Sequence, residues 1–314
     1  MISNTKNIIS IAQKEFADHV SSPRFLIFVA TFSLIVFVFG YQKGLEVQYA
    51  QRIFSTDSAL RGFEGIARII GSFAPLIGIA LGFDTIVKEV KSGSLNVLLT
   101  HPVFRDNIIV GKLVGSAITL ALVLVISTVV STGTMLLISG IPIKDSDFLR
   151  IGIFLILTFF YVLIFLGIGV ITSILVKSSS NSLIYSIAIW LFSILFSSIV
   201  FAGIYISTGQ TQEESLGLAT QLMGIAPAHQ YAQVTIGKND IGWGGFFGGD
   251  SKVQGIFDTR FTLSQWFGEF WMNLTVLILA PIILLIIAFI AFLRTDNLAG
   301  YVCGGCDLGE LGTG

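Results

Sequence analysis

The sequence has little charge and few side chains of the kinds that metal and redox sites use. Only 12% of its 314 residues are charged, about half the share in soluble domains, which argues against an ordinary soluble domain. Its 18 basic and 19 acidic residues give a net charge of −1, so nucleic acid is not expected as a partner. Two cysteines and three isolated histidines provide neither a disulfide framework nor a histidine-based metal cluster.

Apolar residues dominate instead: 54% of the chain is hydrophobic and its mean hydropathy is +0.86. A helix needs about 20 apolar residues to cross a hydrocarbon core of about 30 Å. Six windows free of charge approach or exceed that length, and they predict an all-α membrane protein with six transmembrane helices. The windows cover residues 25–42, 69–83, 113–143, 151–176, about 182–207 and about 270–293.

An even number of spans places both termini on the same side of the membrane. With the N-terminus inside, 9 of the 18 basic residues fall on each side. Much of the outer share lies in one long loop, which carries little weight in the positive-inside rule. The short segments therefore favour a multi-pass protein of the cytoplasmic membrane with both termini in the cytoplasm.

The N-terminal segment, residues 1–24, is predicted to contain a helix that lies on the cytoplasmic membrane surface. Ile8, Ala12, Phe16 and Val20 recur at helical spacing, with polar side chains on the opposite face. Such an amphipathic pattern is typical of interfacial helices.

A second surface segment, residues 84–104, follows the second span and is predicted to form two short cytoplasmic helices. Gly93 separates them, Ser94 can cap the second helix, and Pro102 ends it. Three leucines share one face of this second helix, namely Leu95, Leu98 and Leu99. An apolar face with charged edges outside the lipid indicates a protein partner.

The sequence also predicts the boundaries of the remaining segments. Spans one to five occupy residues 25–205, and residues 206–265 are expected to form a small extracytoplasmic domain with a Gly-rich and aromatic middle. The sixth span is expected at residues 266–294. Residues 295–314 would then be a Gly-rich cytoplasmic tail.

The stretch from Phe83 to Gly115 resembles the type-2 ABC transporter permease family, in the branch that includes nitrous-oxide-reductase-maturation, sodium and drug exporters. The matching residues are Asp84, Ile86, Glu89, Gly93, Ser94, Leu95, Leu98, Leu99, Thr100, Pro102, Val103, Arg105, Gly111 and Lys112. The opening segment, residues 11–28, is also similar to the start of that family's permeases.

This resemblance implies the permease subunit of an ATP-driven exporter of the ABC-2 type, without enzymatic activity of its own. Cytosolic ABC ATPase subunits would bind ATP and Mg, and a second permease would complete a homodimer or a heterodimer in membrane lipid. No cofactor is expected in this chain, which contains no G-x-x-x-x-G-K-[ST] motif. The residues implied to couple to the ATPase are Lys88, Glu89, Gly93, Ser94, Leu95, Leu98, Leu99, Pro102 and Arg105.

The span interiors contain almost no ionisable groups, which weighs against ion-coupled transport and favours an amphiphilic or lipid-like substrate. Two alternatives remain open. Cys303 and Cys306 form a C-x-x-C pair, half of a tetrathiolate zinc site, which could serve a membrane-embedded redox or metal-handling protein. The domain at residues 206–265 is also compatible with a mechanotransmitting permease that acts on an extracytoplasmic client.

Overall fold

A computed structural model describes residues 2–54, 60–88, 105–141, 144–176, 178–208, 222–237 and 255–294, and this part of the chain contains helices but no strands. Its helices are α1 (Ile2–Ser21), α2 (Pro23–Phe54), α3 (Leu60–Gly82), α4 (Arg105–Ser139), α5 (Asp145–Leu175), α6 (Ser179–Thr208), α7 (Pro227–Thr235) and α8 (Leu263–Arg294).

Six of these helices, all except α1 and α7, are long and apolar enough to cross a membrane, which confirms the predicted number of spans. The stretches that meet this criterion are Phe25–Ile53, Gly62–Gly82, Asp106–Ser139, Asp145–Leu175, Ser179–Phe196 and Leu263–Arg294. The predicted N-terminal helix is present as α1, while its position on a membrane surface remains a prediction.

The membrane helices extend further than the charge-free windows predicted. The first continues through Lys43 to Phe54, and Lys43 pairs with Glu46 at 2.6 Å within the same helix. The third begins at Arg105 and includes Lys112. A charged side chain near a helix end does not stop the helix, because it can pair locally or reach water beyond the lipid.

Helices α3 and α5 run in the same direction and approach closely at two glycines of α3. A Cβ atom on Gly78 would lie 2.7 Å from the carbonyl oxygen of Val162, and one on Gly82 would lie 2.7 Å from that of Leu166. These glycines are four residues apart and so share one helix face. Small residues at this spacing let two membrane helices pack backbone to backbone.

Helices α2 and α4 form a second parallel pair, which also packs closely at two glycines. A Cβ atom on Gly40 would lie 3.0 Å from the carbonyl oxygen of Ser131, and one on Gly44 would lie 2.8 Å from Cβ of Ile138. Because the contacts advance together along both helices, α2 lies alongside the second half of α4. The two parallel pairs are joined by the antiparallel neighbours α2 and α3.

At the end of the bundle opposite α1, aromatic side chains fill the space between α5, α7 and the 255–262 segment. The rings of Tyr161 and Tyr231 stack with their centroids 4.4 Å apart, and both side chains are fully buried. Phe257 packs against Phe63 and Phe154 at centroid distances of 5.7 and 5.2 Å. Short helix α7, from the predicted extracytoplasmic domain, therefore lies within the packed core.

Replacing Gly78 with Ala tests the contact between α3 and α5. We expect the free energy of unfolding to fall by about 1–3 kcal/mol, because the added methyl group overlaps the backbone of α5. Gly152→Ala is the matched control, since a Cβ atom there meets nothing within 4 Å and alanine favours the helix by up to about 1 kcal/mol. Unfolding in detergent, followed by tryptophan fluorescence, compares the two. Equal stability of the variants would contradict the close packing.

Candidate functional site

Two of the residues predicted to couple to a partner, Lys88 and Arg105, lie at one end of the bundle, which we call the α1 end. It comprises α1, residues 83–88 after α3, the start of α4, and the turn between α5 and α6. Lys88 is exposed at this end, and Arg105 is the first residue of α4. The other predicted coupling residues lie outside the described residues. These are Glu89, Gly93, Ser94, Leu95, Leu98, Leu99 and Pro102. Cys303 and Cys306 also lie outside the described residues.

Helix α1 lies against the first turns of α4, where two glycines make room for it. A Cβ atom on Gly111 would lie 2.7 Å from Cβ of Ile11, and one on Gly115 would lie 2.8 Å from the carbonyl oxygen of Ala12. These glycines are again four residues apart on one face. The backbone of α1 is therefore held directly against the backbone of α4.

The apolar face predicted for α1 is divided between this contact and the exterior. Ala12 is buried and the backbone of Ile8 contacts Gly111, whereas Phe16 and Val20 are half-buried. The side actually pressed against α4 also includes Glu15, which the sequence pattern did not single out. The reason is that α4 presents glycines and a lysine here rather than a continuous apolar surface.

A buried ion pair fixes the register of α1 on α4. Lys112 Nζ lies 2.8 Å from a Glu15 carboxylate oxygen, and the two side chains are only 4% and 12% exposed. One turn further along α1, His19 Nε2 lies 3.3 Å from the hydroxyl of Ser116. Burial lowers the pKa of His19 below its usual range, against the opposing effect of Glu15, and so favours the neutral imidazole.

The turn after α3 is bound to α5 by one serine. The backbone N–H groups of Ile86 and Val87 both donate to the Ser173 hydroxyl oxygen, at 3.0 and 3.2 Å. Ile86 and Val87 are themselves buried. The chain that leads to Lys88 therefore leaves the bundle from a fixed position.

The turn between α5 and α6 is tied to the same region by hydroxyl groups. Thr172 Oγ1 lies 2.7 Å from Ser186 Oγ and accepts a hydrogen bond from Ser182 Oγ at 3.0 Å. All three side chains are buried, and the bonds satisfy hydroxyl groups that would be costly to bury alone. The ends of α3 and α5 and the start of α6 thus form one connected unit.

This geometry holds the described residues on both sides of the segment from residue 89 to residue 104. Before the segment, Lys88 follows the turn bound to Ser173. After it, Arg105 begins α4, against which α1 packs. The functional role of the segment remains a prediction from the sequence. Sequence reasoning did not single out Ser173 or Glu15, because their partners are 87 and 97 residues away.

A second polar cluster lies at the opposite end, where α7 meets α8. Asn273 donates to the amide oxygens of Gln230 and Gln233, in the latter case at 2.7 Å, and the Gln233 amide nitrogen lies 2.7 Å from His229 Nε2. The Tyr231 hydroxyl lies 2.7 Å from that of Thr158. These bonds hold the predicted span residue Asn273 against α7 and satisfy most of the buried polar atoms.

Arg150 fastens the segment before α8 to the start of α5. Its buried guanidinium donates to the carbonyl oxygens of Ile256, Asp258 and Phe261, at 3.0 Å in the case of Asp258. Within the described residues there is no group of three or more metal-ligating side chains. The described polar groups of this end form a hydrogen-bonded network that joins α5, α7, α8 and the segment before α8.

The chain is similar to known membrane proteins. A family model described as ABC-2 family transporter protein matches residues 9–297. Two relatives, each named probable ABC transporter permease protein NosY, come from Stutzerimonas stutzeri and Pseudomonas aeruginosa. The first is 31% identical over 164 residues, 49% of this chain and 59% of that protein. The second is 30% identical over 116 residues, 36% of this chain and 40% of that protein. The chain thus spans about half the length of the curated relatives it matches.

Removal of the Ser173 hydroxyl tests the attachment of the 83–88 turn. In Ser173→Ala the two N–H groups lose their acceptor, at a cost of about 1–3 kcal/mol for each buried donor. We expect faster hydrogen–deuterium exchange in a peptide that covers residues 84–88, measured by mass spectrometry. Ser180→Ala, at an exposed position of α6, is the control and should leave that peptide unchanged. Unchanged exchange in Ser173→Ala would exclude the attachment.

A double-mutant cycle tests the ion pair between α1 and α4. Lys112→Met leaves the Glu15 carboxylate buried without its partner, so we expect a loss of about 3–5 kcal/mol in unfolding free energy. The double variant Glu15→Gln/Lys112→Met should recover much of that loss. Lys43→Met, which removes the more exposed pair with Glu46, should change stability by less than about 1 kcal/mol. If the losses of unfolding free energy in Lys112→Met and Glu15→Gln simply add up in the double variant, the two residues do not form a coupled pair.

Proposed function

Because this chain belongs to the family of ABC-2 transporter proteins, we propose that it is the membrane-spanning permease subunit of an ATP-driven exporter. A separate cytosolic ATPase would dock on the segment between α3 and α4. The proposal places the α1 end and both termini in the cytoplasm, and the buried α7 region at the outer side of the cytoplasmic membrane.

The observation that supports this proposal is that the described residues on both sides of that segment are held against the bundle. The amphipathic segment at residues 84–104 begins at the turn bound to Ser173 and continues into α4, where α1 is seated. A partner that moves Leu95, Leu98 and Leu99 would thereby move two different parts of the bundle. A short segment whose flanking residues are held on different helices is suited to converting the motion of a docked protein into a change of helix packing.

The parallel helix pairs provide bodies that could move. Helices α3 and α5 are joined at Gly78 and Gly82, and α1 and α2 are joined to α4 at four other glycines. Packed helices of this kind shift against each other as units rather than deforming continuously. We infer that ATP hydrolysis in the partner changes the angle between the two units and so opens the permease alternately to each side.

The composition of the spans supports an amphiphilic or lipid-like substrate. Lys112 and Arg150 lie near the starts of α4 and α5, and Lys43, Lys112 and Arg150 all have polar partners. A pathway for ions or protons would place such groups near the membrane midplane. The large apolar surface of α2, α6 and α8 leaves room for lipid and for a second permease, identical or not.

Co-purification tests the docking surface. We expect a cytosolic ATPase to accompany the tagged protein from its native membranes in stoichiometric amount, and to be lost from Leu95→Glu/Leu98→Glu, because two carboxylates cannot be buried in an apolar contact. Gln13→Glu/Gln51→Glu adds the same charge at exposed positions of α1 and α2 and should retain the ATPase.

Two results would contradict the proposal. A native protein that purifies without any ATPase would argue against a permease subunit of this type. An ATPase that stays bound to the Leu95→Glu/Leu98→Glu variant as well as to the control would show that docking occurs elsewhere on the chain.

A further inference from the structure

A cavity of about 390 Å³ lies at the α1 end, bordered by α1, the starts of α2 and α6, the end of α3 and the 83–88 turn. Its volume falls in the range of small-molecule sites, about 300–1,000 Å³. One wall is apolar and is formed by residues of the membrane helices and by Phe83. This wall includes Phe25, Phe28, Ile77, Leu81, Phe83 and Leu183.

The opposite rim of the cavity is charged. Three of the charged groups on this rim already have partners. Lys112 is paired with Glu15, and Asp84 is not free either. Lys14, Asp18 and Lys88 also line the cavity, and their side chains are exposed. Among the residues that the structure describes, none forms an ion pair with any of these three. Among the described residues of the rim, two ammonium groups and one carboxylate thus have no ion-pair partner within the described part of the chain.

The combination of an apolar wall and a charged rim matches the chemistry of a membrane lipid. The apolar wall begins where α2 and α6 enter the membrane, and the charged rim lies on α1 and the turn outside it. A molecule that fills both parts must carry acyl chains at one end and charges at the other. Basic groups between membrane helices near the lipid surface are known to bind phosphate-containing headgroups.

We propose that this cavity binds a phospholipid whose headgroup carries a primary amine. The phosphate accepts hydrogen bonds from the ammonium groups of Lys14 and Lys88, and the headgroup ammonium donates to the Asp18 carboxylate. The first part of an acyl chain lies against the apolar wall. A headgroup with one negative and one positive charge satisfies all three rim residues, because each charge meets an opposite one.

Other common headgroups fit the same rim less well. A quaternary choline carries a positive charge but no N–H donor, so it cannot form a hydrogen bond with the Asp18 carboxylate. A glycerol headgroup is anionic overall and leaves that carboxylate without an opposite charge. The position of Asp18 on α1, one turn beyond Lys14, thus distinguishes the amine headgroup from the alternatives.

Native mass spectrometry of the delipidated full-length protein provides the test, with added dioleoyl phosphatidylethanolamine, phosphatidylcholine or phosphatidylglycerol. We expect the ethanolamine lipid to bind about tenfold more tightly than the choline lipid, the effect of one charge-assisted hydrogen bond. Lys14→Gln/Lys88→Gln should weaken its binding by at least about tenfold on the same grounds. Asp18→Asn should abolish the preference for ethanolamine over choline.

Controls separate the cavity from the general surface. Lys6→Gln/Lys144→Gln removes two exposed positive charges that do not line the cavity and should bind lipid like the native protein. Leu183→Trp fills the apolar wall without changing charge and should weaken all three lipids together. Soluble phosphoethanolamine, which has the headgroup without chains, should displace the lipid only at large excess.

Several outcomes would overturn the proposal. These are equal binding of ethanolamine and choline lipids, tightest binding of the glycerol lipid, or a loss in Lys14→Gln/Lys88→Gln no larger than in the lysine control. Displacement by equimolar phosphoethanolamine would show that the chains do not contribute and that the site is for a soluble phosphate compound. The assay needs neither an ATPase nor transport, so its failure would leave the proposed function untouched.

Discussion

Close approach of helix backbones at glycine is the constraint on which the rest of the bundle depends. Three glycine pairs with a spacing of four residues face neighbouring helices that leave no room for a Cβ atom. These pairs are Gly40 and Gly44, Gly78 and Gly82, and Gly111 and Gly115. Within lipid, helices gain little from burying apolar surface, so packing of this kind and hydrogen bonds decide which helices are neighbours. The contacts join α2 to α4, α3 to α5 and α1 to α4.

Under the proposed function, the segment between α3 and α4 would act on two packed units rather than on a set of separate helices. The Ser173 hydroxyl holds the incoming turn on the α3–α5 unit, while the Lys112–Glu15 pair holds α1 on α4. One attachment uses neutral hydrogen bonds and the other a buried ion pair. Under the proposed function, the partner ATPase would therefore act on a joint between rigid bodies, with the lipid cavity located beside that joint.

The sequence was sufficient for the number of spans and for the N-terminal helix, because both depend on local hydropathy and periodicity. It was less reliable for helix ends: charge at Lys43 and Lys112 suggested boundaries, yet both helices continue past them because each lysine has a carboxylate partner. Long-range contacts could not be read from local patterns, as with Ser173, whose partners are 86 and 87 residues distant. The glycine pairs were detectable as a small residue repeated after four positions, but that signal does not say which helix is the neighbour.

The attachment made by Arg150 also bears on how the protein is assembled during synthesis. Its three carbonyl partners follow it by 106, 108 and 111 residues, so α5 leaves the ribosome long before they exist. A guanidinium without partners cannot be buried in a low-dielectric interior except at high cost. The start of α5 must therefore stay in contact with water or headgroups while α6 and α7 are being made. It becomes part of the core only when residues 256–261 arrive, so the synthesis of the segment before α8 is the event that closes this end of the bundle.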